Sequence, residues 1–296
     1  MGMLYVAPWF FGFLCFSAFP IIYSFYMSLT KWDVLGEPKF IGWKNYITFF
    51  TDDPVFVIAL KNTFLYMVFS IFIGISMAIL IAAILAEKIK GNQIYRGIFY
   101  LPYLIIPVAF GFMMRPIFGS QNYGLLNVCL SIFKIPPQSW LEDPNVAIWA
   151  VISASFWYIG GSMIIFLAAI KGLSPAYHEA AAIDGAGWFK RLIYITIPLI
   201  SPVILFQIVM GLISGLQLLD IPATFAQLGS STHTTMGRNN ALATLVFYLY
   251  FKGFRFWEMG AASAIGWIIF LIGLLLTLLI IKLLYKSSSY TADQVE

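Results

Sequence analysis

Few side chains in this 296-residue chain can do covalent or acid–base chemistry, and those few are scattered. There are two histidines, His178 and His233, and two cysteines, Cys15 and Cys129. Both histidines fall in polar stretches, where a solvated surface imidazole is the ordinary case. Cys15 lies inside an apolar run and Cys129 in a loop, so they supply neither a disulfide framework nor a metal pair. No HExxH, G-x-S-x-G or GxxxxGK[ST] pattern occurs, which excludes a zinc-protease helix, a nucleophile elbow and a phosphate-cradling loop. What remains is a set of polar groups within or beside long apolar runs: Asn62, Gln207, Gln217 and Asp220, with Trp157 and Tyr158 as aromatic platforms. Intramembrane polar groups are costly and tend to mark a solute path. Amides and flat rings together suit a solute that presents hydroxyls and apolar faces. Plainer roles compete: Gln207 as a bond between helices, Asp220 as an interfacial helix end, Trp157 and Tyr158 as packing.

The elements that must hold these groups follow from composition. The chain is 61% hydrophobic and 10% charged, against about 25% charged in soluble domains, and its mean hydropathy is +0.88. Residues 1–30, 62–86, 97–114, 144–170, 192–219 and 259–281 contain no Asp, Glu, Lys or Arg, and a membrane crossing needs about 20 such residues. The expected fold is therefore an all-α integral membrane protein, one domain over 1–296. Its six transmembrane helices would lie at about 4–29, 58–86, 97–118, 145–170, 195–219 and 259–284. Pro102 and Pro107 predict a kink in the third. The 116–133 run is broken by Pro116, Gly119, Gln121, Asn122 and Gly124 and is not counted. Ala241–Phe251, about 11 residues, is the length of an interfacial or re-entrant piece. Residues 1–30 have no charged n-region and a run too long for a signal-peptide core of about 7–15 residues, so they read as a retained helix. Gly211 and Gly215 form a GxxxG pair suited to close helix packing. A net charge of +4 gives no argument for nucleic acid. Charge-free spans also lack the ionisable groups that ion-coupled carriers and proton relays need, so the energy for any transport arrives from elsewhere.

One polar stretch between two spans is built differently from the rest. Ser174–Pro198 reads SPAYHEAAAIDGAGWFKRLIYITIP. Ser174 can cap a helix, Pro175 suits its first position, and Gly185 tolerates the left-handed conformation that ends one. Ten or so residues fall below the roughly 12–15 needed for a stable isolated helix, so this one needs a docking surface. Glu179 gives it an anionic handle beside alanines of little bulk. Trp188, Lys190 and Arg191 then form an aromatic and cationic collar of the membrane-interface kind.

The same stretch resembles the EAA loop of permease subunits of binding-protein-dependent ABC importers. Glu179-Ala180-Ala181, three residues, Gly185, nine residues, Ile195, one residue and Ile197-Pro198 follow the family's EAA-x3-G-x9-I-x-LP, with Ile197 in place of Leu. FIGWKNY at 40–46 resembles the family's outer F-x-G-x-x-N-Y segment. Asn122-Tyr123-Gly124-Leu125-Leu126-Asn127 and Trp140-Leu141 resemble its next outer turn, and Ala168-Ala169-Ile170 precede Ser174-Pro175 as expected. The chain departs where the family has Gly-Gly-Pro and it has Gln227-Leu228-Gly229-Ser230-Ser231-Thr232-His233, which touches docking of the binding protein rather than the fold. The branch resembled is carbohydrate uptake, of the maltose and glycerol-phosphate permease type. The resemblance implies a type I importer fold and a coupling loop carried by Glu179, Ala180, Ala181, Asp184, Gly185, Ile195 and Pro198. It implies a second homologous permease, a dimer of ATPase subunits, an extracytoplasmic sugar-binding protein and a sugar substrate. ATP and magnesium would be used by the ATPase subunit, with no cofactor on this chain. The setting would be a bacterial or archaeal plasma membrane, with the EAA loop and C-terminus cytosolic. Eight Lys/Arg would then lie inside and nine outside, so orientation rests on the loop and on the shortness of the inner segments. A stand-alone channel or secondary carrier leaves this loop without a task, and a membrane-embedded enzyme lacks its paired ionisable groups.

Overall fold

A computed structural model of the chain describes residues 2–87, 89–114, 116–120, 124–229 and 235–292. Among the described residues, five helices are long and apolar enough to cross a bilayer: Tyr5–Ser28, Pro54–Ala86, Ala147–Lys171, Ser201–Ala226 and Met259–Leu283. A further apolar helix pair, a sixth crossing if counted as one span, is sharply bent. Asn92–Leu104 and Pro107–Met113 meet at 102°, where a single kinked helix over 97–118 is expected from sequence. Ile105 and Ile106 are extended there, with ψ of 130° and 132°. Pro107 is the cause, since its ring disfavours helical backbone at the preceding residue and it brings no N–H. The fifth span also differs from the expected 195–219. A π-turn over Leu192–Thr196 and a short Ile197–Leu199 turn precede the regular helix Ser201–Leu216. Pro198 and Pro202 each remove a backbone donor at that entry.

The second span organises the others. Asp53 caps it, accepting from the Val55 and Phe56 N–H groups at 3.0 and 3.1 Å, and Pro54 takes the first helical position. Its 33 residues reach about 50 Å at 1.5 Å per residue, beyond a hydrocarbon core of about 30 Å, so its ends stand in the interfaces. One end packs Phe56 and Ala59 with Phe110, Phe225, Leu245 and Ile265. The other packs Ala78 and Ala82 with Met163, Phe166 and Ile200. Small residues bring the spans close. A Cβ on Gly160 would sit 2.1 Å from the Phe99 carbonyl, and one on Gly211 or Gly215 would meet Ile71 or Met67 at 3.0 or 3.2 Å.

The first span is peripheral, with none of its apolar window buried. Its second half, Phe19–Ser28, rests on the sixth span through Phe25 and Trp267, whose rings lie 5.0 Å apart. FIGWKNY returns to that span's end. The Asn45 amide donates to the Ser28 and Thr30 carbonyls at 2.8 and 2.9 Å, and Thr30–Lys31 pairs antiparallel with Lys39–Phe40.

Non-helical backbone beside the second span is satisfied by that span's side chains. The Asn62 amide donates to the Ala241 and Ala243 carbonyls at 2.8 and 3.0 Å, and the Thr63 hydroxyl accepts from the Leu245 N–H at 2.9 Å. Such backbone persists at membrane depth only where protein supplies its hydrogen bonds. A short helix, Leu245–Tyr250, and a π-turn, Phe251–Arg255, follow this anchor. In the loop before the fourth span, Asn127 accepts from the Trp140 indole N–H at 2.9 Å and from the Gln138 N–H at 3.0 Å. Asn122 and Tyr123 of that segment, Ser230–His233 and Lys88 lie outside the described residues.

Candidate functional site

Midway along the second, fourth and fifth spans, three helix faces, with Tyr103 beside them, line a partly open cavity of about 400 Å³. The second span contributes Tyr66, Ser70 and Gly74, one turn apart. The fourth contributes Ser155, Tyr158 and Ser162, and the fifth Gln207, Gly211 and Ser214. Each set recurs at three- and four-residue steps, which places its members on one face of a helix. Among the described residues, no charged side chain lines this cavity. The Tyr158 hydroxyl donates to the Ile105 carbonyl at 3.1 Å, satisfying an acceptor freed by the break in the third span, while its ring packs edge-on to Phe110 at 4.9 Å. Gln207 is 8% exposed and, among the described residues, makes no side-chain hydrogen bond. An amide that lines a cavity without an internal partner is free to bond a solute there.

The other expected path residues stand elsewhere. Asn62 is committed to the Ala241 and Ala243 carbonyls. Trp157 is half-exposed against Phe110, with ring centroids 6.5 Å apart, and does not line the cavity. Gln217 is exposed at the end of the Ser201–Leu216 helix. Asp220 lines a neighbouring hollow of about 280 Å³ with Thr224, Tyr250 and Arg255. It sits in the first turn of the Asp220–Gly229 helix, whose free N–H groups favour a negative charge. Sequence reading missed Tyr66, Ser70, Ser155, Ser162 and Ser214. Their signal was present as hydroxyls repeating at helical spacing in three charge-free runs.

The Ser174–Pro198 loop forms the helix Pro175–Ile183. Ser174 occupies the cap position, but its hydroxyl makes no capping bond. The C-terminal end is well defined: Gly185 has φ +74°, its N–H reaches the Ala182 carbonyl at 3.1 Å, and the Ala186 N–H reaches that of Ala181 at 2.9 Å. This paired arrangement is the Schellman closure, which needs a residue tolerant of positive φ. Ala181 packs inward, while Glu179, Ala180 and Asp184 are exposed and Ile183 is 87% exposed. Ile195 lies in the π-turn and Pro198 in the turn after it, both half-buried at the entry to the fifth span.

Residues 70–289 match the family described as binding-protein-dependent transport system inner membrane component. The chain belongs to that family. It is 37% identical over 291 residues to Probable ABC transporter permease protein YesP of Bacillus subtilis strain 168, covering 98% of this chain and 90% of that one. It is 30% identical to the arabinooligosaccharides transport system permease protein AraP of the same organism, over 95% of this chain and 87% of AraP. A bacterial alginate ABC transporter, solved in complex with an alginate pentasaccharide-bound periplasmic protein, has a chain that superposes with a TM-score of 0.81. That likeness covers 97% of this chain and 95% of the other at 24% identity, and it shows the fold. This family member is thus a multi-pass, helical permease. The matched region takes in the cavity lining apart from Tyr66, together with the Pro175–Ile183 helix, and omits the peripheral first span.

Proposed function

We propose that this permease forms half of the translocation path for a sugar or oligosaccharide delivered by an extracytoplasmic binding protein. A second, homologous permease supplies the other half. The observation that carries the reading is the mid-depth cavity, walled by hydroxyls, tyrosines and the unpartnered Gln207 amide, with no lining charge. Sugars present hydroxyls at their edges and apolar faces above the ring, and such a wall answers both. Relatives named for arabinooligosaccharides, lactose and trehalose/maltose support the substrate class.

Energy enters at the opposite end of the machinery. Two copies of a separate ATPase subunit, using ATP and magnesium, serve the permease pair, and one docks on Pro175–Ile183. Its movement carries the helix and the attached fourth and fifth spans as rigid elements. In this arrangement the loop and the C-terminus face the cytosol of a bacterial or archaeal cell. Glu179→Lys tests the reading. Uptake by the assembled importer should fall sharply while the spans remain folded, and ATP hydrolysis should no longer follow solute. Normal uptake by this variant would overturn the coupling role.

A further inference from the structure

Behind the Pro175–Ile183 helix lies a larger hollow of about 660 Å³, bounded by the ends of the second and fourth spans and the entry to the fifth. Lys171 and Arg191 line it together with Glu87, Glu179, His178 and Thr196, and the rest of the wall is apolar, including Trp188 and Leu192. Charges of both signs share one hollow without pairing. Among the described residues the ion pair within 4.0 Å is Lys252 with Glu258, which lies elsewhere. No carboxylate of the described residues lies within 4.0 Å of the Arg191 guanidinium; its Nε is buried without an acceptor, so its terminal N–H groups are what a ligand in the hollow would meet. An unpaired guanidinium beside an ammonium is a preferred seat for phosphate oxygens. The carboxylates exclude a purely anionic occupant and ask for a hydrogen-bonding cation on the same molecule. The aromatic and cationic collar places the hollow at a membrane interface.

We infer that this hollow binds the phosphoethanolamine headgroup of a membrane lipid, with its phosphate on Arg191 and Lys171 and its ammonium on Glu87. The primary ammonium can donate to the carboxylate, whereas the quaternary ammonium of choline has no N–H to give. The bound lipid ties the Pro175–Ile183 helix to the spans behind it. Only this last consequence rests on the coupling reading, because lipid retention is measured on the chain itself.

The test reconstitutes the full chain in vesicles of equimolar phosphatidylethanolamine, phosphatidylcholine and phosphatidylglycerol. The chain is then extracted in mild detergent, and retained lipid is counted by native mass spectrometry. Phosphatidylethanolamine should be enriched over the other two. Arg191→Gln should lower that enrichment about tenfold, the worth of one charge-assisted hydrogen bond. Glu87→Gln should keep a lipid bound but abolish the preference for ethanolamine over choline. Melting temperatures check that both variants fold, and Glu87→Gln alone decides the matter if Arg191→Gln does not. Equal retention of the three lipids by the unaltered chain, or enrichment unaffected by Glu87→Gln, would overturn the inference. Retention of glycerophosphoethanolamine in preference to phosphatidylethanolamine, when both are offered at equal concentration, would assign the site to a soluble ester instead. Lipid lost whenever the ATPase subunit is added would assign the hollow to that protein. None of these outcomes alters uptake by the unmodified importer, so they are distinct from failure of the transport reading.

Discussion

Asn62 and Gln207 are both buried amides in charge-free spans, yet they should respond oppositely to replacement by leucine. Asn62 donates to two carbonyls of the non-helical Ala241–Ala243 segment, at 2.8 and 3.0 Å. Side-chain hydrogen bonds between membrane helices are worth about 0.6 kcal/mol each and up to about 1.7. Asn62→Leu, losing two, should therefore cost about 1–3 kcal/mol, with both carbonyls left buried. For a chain of this size that lowers the melting temperature by about 2–8 °C. Gln207 gives up no internal bond among the described residues, and leucine fills a similar volume. Gln207→Leu should leave the melting temperature within about 1 °C and raise KM for uptake about two- to tenfold, the loss of one hydrogen bond to a neutral solute. Detergent-solubilised melting curves and proteoliposome uptake on the same preparations give both readings. If Asn62→Leu melts like the unaltered protein but loses uptake, or Gln207→Leu unfolds easily and transports normally, the assignment of these two amides is wrong.

Two further substitutions probe local geometry. Gly185→Val faces open space around a new Cβ, so its penalty comes from φ +74° alone, about 1–2 kcal/mol for a residue with a side chain. The end of the Pro175–Ile183 helix should fray, and the ratio of solute moved to ATP hydrolysed should fall while the protein still melts cooperatively. The Tyr248 phenol, outside the spans, is raised above its ordinary 10.0 by burial first and then by its hydrogen bond to Asp53. Its folded-state value exceeds its unfolded one, so its contribution to stability is complete below pH 10 and is lost as pH rises beyond that. Tyr248→Phe should remove that alkaline component from a melting-temperature profile, and an unchanged profile would exclude Tyr248 as its source.

Sequence made some parts of this molecule plain and hid others for physical reasons. Absence of charge over 62–86, 144–170 and 259–281 marks three spans because a bilayer tolerates little else. The Pro175–Ile183 helix was legible from both ends, since Pro175 and Gly185 are local signals that need no tertiary partner. The break at Ile105 and Ile106 was harder. Prolines in a span permit either a kink or a sharp turn, and neighbours such as Tyr158, which takes up the Ile105 carbonyl, decide between them. Asn62 looked like a path residue because its partners lie 179 and 181 positions away. The cavity hydroxyls were overlooked for the opposite reason. A serine in a membrane helix commonly bonds its own backbone, as Ser155 does to the Ile152 carbonyl at 2.6 Å, and only the convergence of three faces gives such residues a shared role.

If energy reaches this permease through the Pro175–Ile183 helix from a separate ATPase, that helix must touch the ATPase in native membranes, and cross-linking can detect the contact. Ile183, 87% exposed on that helix, is replaced by cysteine in a chain whose exposed Cys15 and Cys129 are changed to serine. A short bifunctional reagent is then applied in native membranes. One dominant product should join this chain to a nucleotide-hydrolysing subunit, with a yield that changes when ATP is trapped. An Ile183→Cys chain that transports normally yet links to no such subunit, or only to copies of itself, would contradict it.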